Sequence, residues 1–141
     1  MTQANKERVR LMIEELWGKR RTELIPTLFA PHAIDHMPIP GQEPSFAGLV
    51  EVVNVFDRAM PDFRMTLHLL VAEDDLVVDH WSFEGTHTGE LFGIEPTGAR
   101  VVMKGMDITR HRDDRIVEMW HVEDYVTMLA QLGRPTPLTA S

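Results

Sequence analysis

The sequence predicts an α+β fold, with helices first and an antiparallel sheet after them. Three observations support it. Apolar residues recur at spacings of three and four up to about residue 60, they alternate with a period of two from Phe63 to Glu123, and short polar turns join the later runs. A curved sheet wrapped on N-terminal helices would leave a pocket between the layers, the usual place for a small-molecule site.

Each element follows from its local pattern. Asn5 to Trp17 places Val9, Met12, Ile13, Leu16 and Trp17 on one helical face, and Gly18 ends the helix. Thr22 to Phe29 reads as a second helix burying Leu24, Ile25, Leu28 and Phe29, with Pro26 in its first turn. Ala33 to Met37 is a short strand, followed by a loop from Pro38 to Pro44 with three prolines and a glycine. Ser45 is positioned to cap a third helix, Phe46 to Met60, that turns Leu49, Val52, Val53 and Phe56 inward and stops at Pro61-Asp62.

The strand region follows. Phe63–Glu73 and Leu76–His87 flank the turn Asp74-Asp75, Gly89–Gly98 is a loop, and Arg100–His111 and Arg115–Glu123 flank the turn Arg112-Asp113-Asp114. Asp124 caps a last helix carrying Tyr125, Met128, Leu129 and Leu132, closed by Gly133 and Pro135. No repeat or linker divides the chain, so one domain is expected over 1–141, with a flexible tail from 134.

Composition narrows the function classes. A chain of 141 residues buries about 70% of its unfolded surface and needs no staples. It has no cysteine, which removes disulfides and thiolate metal sites. The net charge of −8 disfavours a nucleic-acid partner. No apolar run reaches membrane-spanning length, and the charged amphipathic N-terminus is unlike a signal segment, so a cytoplasmic location is the default.

Asp107 and His121 carry the most chemical information. They lie on the last two strands, and alternation places Met103, Gly105, Asp107 and Thr109 on one face opposite Val117, Met119 and His121. A carboxylate and an imidazole meeting in an apolar pocket form a general acid/base pair. The bland reading is a satisfied polar pair that sets strand register. Lys104, Met106, Glu118 and Trp120 fall on the other face, where Met106 and Trp120 would need cover from helices or a second subunit.

Several short stretches resemble the SnoaL-like polyketide cyclases, within the nuclear-transport-factor-two-like superfamily. They are Gly48-Leu49, Met60-Pro61-Asp62-Phe63, Trp81 to Gly89 (WSFEGTHTG), Phe92 to Gly98 (FGIEPTG), Arg115-Ile116-Val117-Glu118 and Met128 to Gly133 (MLAQLG). The resemblance implies a cone-shaped α+β barrel around an apolar cavity, a homodimer, no cofactor and a small hydrophobic ligand. It also implies intramolecular aldol ring closure of a polyketide ester by an Asp on the last strand beside a His on the strand before. Here those positions hold His121 and Asp107, so the two residue types are exchanged.

The same resemblance brings in substrate contacts. Near the first strand it implies a polar residue against the substrate, and alternation lets only one of Asp35 and His36 face inward; His36 is slightly favoured as a donor, with anchoring of the proline loop as its alternative role. His87 matches a recurring family position, where it would hold a substrate carbonyl or bond to backbone in its turn. Trp81 and Phe83 share a face and, with Met103 and Met119, are expected to line the cavity. His32, His68, His80 and His111 carry no motif, and no spacing indicates a metal site. The leading expectation is acid/base chemistry on a small hydrophobic carbonyl compound. The alternatives are a hydrolase, dehydratase or isomerase on the same scaffold, or a noncatalytic small-molecule binder.

Overall fold

Five strands form one curved sheet in the computed structural model, which describes residues 2–39, 41–135 and 137–138. They are β1 (Phe29–Asp35), β2 (Arg64–Glu73), β3 (Leu76–Thr86), β4 (Arg100–Arg112) and β5 (Arg115–Glu123), in the spatial order β1-β5-β4-β3-β2. β2 through β5 form the expected antiparallel meander: two-residue turns at 74–75 and 113–114 allow no other pairing for β2–β3 and β4–β5, and β3 pairs with β4 across the longer 87–99 connection. β1 departs from the expectation. It joins the far edge beside β5 and runs parallel to it, so the sheet is mixed. Pro40 and half of the tail expected to be flexible (136 and 139–141) lie outside the described residues.

The helices differ from the sequence reading mainly at their ends. α1 (Thr2–Leu11) continues as a π-helical turn, Met12–Trp17. Gly18 closes it at φ −61°, so what demands glycine is space: a Cβ there would overlap the Glu14 carbonyl. The expected second helix splits into a 3-10 turn (Thr22–Leu24) and a single-turn α2 (Ile25–Leu28). Phe29 is already extended and begins β1 four residues earlier than expected. α3 runs Leu49–Ala59 without a side-chain cap, because Ser45 instead bridges to Ile34 at the sheet edge. α4 (Tyr125–Gln131) is capped as expected by Asp124, which accepts from the Thr127 N–H at 3.0 Å.

One face of the sheet holds the core. Val9, Met12, Ile13 and Leu16 from the first helix and Leu49, Val53 and Phe56 from α3 pack on Phe63, Phe83 and Met103. Phe63 also carries the Arg20 guanidinium 3.5 Å above its ring. At one end, Arg8 of α1 ties the helix to the sheet through the Nδ1 of His111 (2.9 Å), whose Nε2 pairs with the Thr109 hydroxyl (2.8 Å). Burial, reinforced by the Arg8 charge, pushes His111 down to about 4, so it serves as a neutral structural ring.

Candidate active site

A cavity of about 100 Å³ opens between the sheet and the first and third helices. At ~10–15 Å³ per water-sized group, that admits roughly seven to ten such groups, the size of a one- or two-ring compound. Its walls are aromatic and aliphatic: Trp17, Phe29, Phe46, Phe56, Trp81 and Phe83, with Met65, Met103 and Met119. The π-helical turn contributes to this wall, since Met12, Ile13 and Trp17 all reach the cavity from it. Trp81, Phe83, Met103 and Met119 thus stand where strand alternation places them.

Asp107 and His121 are cross-strand partners in β4 and β5, and both line the cavity. They do not bond to each other. The His121 ring lies between two other carboxylates, with Nε2 2.9 Å from both oxygens of Asp35 and Nδ1 2.5 Å from Glu123 Oε1. Burial opposes charge on the ring, but the hydrogen bonds to Asp35 and Glu123 outweigh it and raise His121 to about 10. At neutral pH it is an imidazolium with both N–H groups committed.

Asp107 is only 3% exposed. Its Oδ2 accepts from the Trp81 indole Nε1–H at 3.0 Å. Burial, joined by the Glu123 charge, raises this carboxyl above the ordinary carboxylate range, while Asp79, the His121 charge and the Trp81 bond restrain the rise. Gly105, directly opposite Trp81 in the register, lets the indole lie flat over the strand, because a Cβ there would overlap the ring. Gly105→Ala is therefore expected to destabilise the fold by ~1–3 kcal/mol, the usual cost of overpacking, and to displace the donor on Asp107; urea unfolding checks the first and loss of the indole-to-carboxylate bond by NMR the second.

The inward residue of the first strand is Asp35, and not the favoured His36. β1 aligns Asp35 with Met119 in parallel register, and Met119 faces the cavity, so Asp35 does too. His36 turns outward. Its ring stacks on Trp120 (centroids 4.7 Å apart, 15° between planes) and its Nε2 sits 3.5 Å from Glu118. It supplies the cover that Trp120 needed.

His87 also lies outside the cavity lining. It is fully buried just past β3, where Nδ1 accepts from the Thr97 N–H (3.2 Å) and pairs with the Thr97 hydroxyl (2.9 Å), closing the 89–98 loop. Thr88 and Gly89 donate their N–H groups to the Ala59 carbonyl at the end of α3. The Gly85–Gly89 stretch is therefore a packing motif between a helix end and a strand end.

Five polar lining or near-lining residues were missed, one of them Ser45, which the sequence reading placed as a helix cap. Glu123 lies two residues beyond His121, and Asp79 two before Trp81, so the same alternation pointed both inward. Tyr125 opens α4 and lines the cavity wall. Burial and the Glu123 charge raise its phenol well above the ordinary value, so it is a neutral donor. Gln42, from the proline loop, had no periodic signal to reveal it.

Asp107, His121 and Glu123 each bring one possible ligand atom within 4.8 Å of the others. The set does not fit a metal ion as arranged, because both ring nitrogens of His121 are already protonated donors to carboxylates and offer no lone pair. Among the described residues this end of the cavity is an ion-pair network: one cation flanked by Asp35 and Glu123, beside a buried acid.

Comparisons with known proteins agree with this architecture. The sequence pattern described as SnoaL-like polyketide cyclase matches residues 7–132. The structure of IdmH, a candidate polyketide cyclase from Streptomyces antibioticus, is 32% identical and superposes with a TM-score of 0.79, covering 92% of this chain and 98% of that one. AclR, a candidate hydroxylase from Streptomyces galilaeus, is 26% identical with a TM-score of 0.85, covering 96% and 89%. A candidate polyketide cyclase from Bacillus cereus is 25% identical with a TM-score of 0.82, covering 94% and 83%. No curated protein matches by sequence.

Proposed function

The chain belongs to the SnoaL-like polyketide cyclase family, and on that premise we propose that it performs acid/base chemistry on a small hydrophobic carbonyl compound, with intramolecular aldol ring closure as its reaction. The observation that supports this is a buried carboxylate, Asp107, at the polar end of an aromatic cavity, next to a fixed positive charge on His121. Asp107 is the base and His121 is not, because an imidazolium whose two N–H groups are engaged has no site for another proton.

In this mechanism Asp107 removes a proton from the carbon beside a carbonyl. The electron pair of that C–H bond moves to the enolate, whose oxygen accepts from the Tyr125 hydroxyl and is stabilised by the His121 charge. The enolate carbon then attacks a second carbonyl of the same molecule, forming the C–C bond. The new alkoxide recovers the proton from Asp107. The apolar walls hold the ligand folded, which supplies the orientation that proton transfer alone does not.

Proton removal can be tested before the natural substrate is known. Methyl esters and ketones of one- and two-ring aromatics are incubated with the protein in D2O, and exchange of the hydrogens beside the carbonyl is followed by NMR. Asp107-dependent exchange supports the reading, and exchange that is equal without protein or in Asp107→Asn overturns it. With a substrate that turns over, mass analysis separates ring closure from added water or added oxygen, the last because AclR is described as a candidate hydroxylase.

We further propose that the protein works as a homodimer through the outer face of its sheet. Leu69, Val71, Val78, Met106, Ile108 and Val122 all stand exposed there, Met106 at 53%, and a contiguous apolar patch on a sheet face is the mark of an interface. Ile108→Lys is expected to convert a dimer to a monomer in light scattering; a wild-type protein that is already monomeric at micromolar concentration overturns this.

A further inference from the structure

Asp79 is the buried ionisable group that the mechanism above leaves unused. It lies on β3 directly opposite Asp107 of β4 in the strand register, and Asp107 is in turn opposite His121 of β5. Its exposure is 0%, and neither carboxyl oxygen finds a hydrogen-bond partner among the described residues. A charged carboxylate in that position would be buried with no donor, and this is among the costliest arrangements in a protein interior. The neutral acid removes the charge and creates a donor of its own.

We propose that Asp79 is a neutral carboxylic acid whose O–H donates to the Asp107 carboxylate, so that Asp79 and the Trp81 indole form a two-donor clamp that positions Asp107 and keeps it ionised. The register supplies the acceptor, since the facing cross-strand side chain is a carboxylate. The indole supplies the other arm, from Trp81 Nε1 to Asp107 Oδ2 at 3.0 Å. With four lone-pair positions on its two oxygens, Asp107 still has sites for a substrate proton.

The surroundings are consistent with a neutral Asp79. On the β2 side its register partner is Leu70. The polar side chains of α1, which packs on β3, that lie at the sheet are the buried Asn5 and the half-buried Arg8, and Arg8 is engaged by Asn5, His111 and Asp114. On the β4 and β5 side stand Asp107, His121 and Glu123, of which Asp107 is the charge that acts on Asp79. Burial first, and then that charge, push the Asp79 carboxyl far above the ordinary value. The clamp rests on the reading of Asp107 as the base only for its role in catalysis; the hydrogen bond itself does not.

Two measurements test it. In protein carrying 13C at the aspartate carboxyls, the signal lost in Asp79→Asn is expected to stay in the protonated range from pH 5 to pH 8. The midpoint of Asp107 is expected to rise by a unit or more in Asp79→Leu, which removes the donor, and to move little in Asp79→Asn, whose amide N–H replaces it. Deuterium exchange into a probe ketone follows the same order, retained in the Asn variant and lost in the Leu variant. An ionised Asp79 at pH 7, or a folded Asp79→Leu whose Asp107 midpoint is unmoved, overturns the clamp. If Asp79→Leu does not fold, the direct Asp79 signal and the Asn variant decide the matter. A clamp that passes these tests while Asp107→Asn exchanges normally leaves the hydrogen bond standing and removes only the base.

Discussion

Asp107→Asn is expected to lower proton exchange and turnover by roughly a hundred- to ten-thousand-fold, the range that a positioned general base contributes. The amide has nearly the shape of the carboxylate and keeps an oxygen for the Trp81 N–H, so the clamp geometry is retained while the proton acceptor is lost. It also deletes a buried charge, which favours folding. The variant is therefore expected to have wild-type circular dichroism and an equal or higher Tm. Full exchange in a folded Asp107→Asn would remove this residue from the chemistry.

His121→Ala acts in the opposite way, on the fold before the reaction. Among the described residues the ring is the one cation between Asp35 and Glu123, and its side chain is 12% exposed. Without it, two carboxylates share a buried site, and breaking such a pair costs roughly 3–5 kcal/mol. The pH dependence follows from linkage. The folded value of about 10 lies above the ordinary 6.5, so the stabilisation is fully present below pH 6.5 and is lost as pH rises through 10. Urea unfolding should therefore show the largest gap between wild type and variant near pH 6, narrowing toward pH 10. A gap that is constant across that range would mean that His121 is neutral in the folded protein, and would return it to candidacy as the base.

Most of the scaffold and part of the site were legible from residue order. Alternation along two runs brought Asp107 and His121 to one face, and the register makes them direct partners. Asp79 and Glu123 share those inward faces by the same alternation but were not identified: a carboxylate beside an imidazole looks complete in sequence, and here each has other partners. His36, favoured as a donor, instead stacks on Trp120, while His87 takes the second of its two expected roles and bonds to backbone, at the Thr97 N–H.

What the sequence determined by itself was local. Hydrophobic spacing set the helices and strands, short turns set the antiparallel pairs, and alternation set which side chains share a face, because each depends on neighbours within a few residues. What only the tertiary structure decided was non-local: that β1 runs parallel beside β5, which turns Asp35 inward to His121, and that β3 sets Asp79 against Asp107. Strand order and register across 86 residues of separation leave no local trace, yet they fix the protonation states. An imidazole becomes a permanent cation when two carboxylates close on it, and a carboxyl becomes a neutral donor when burial denies it any other partner.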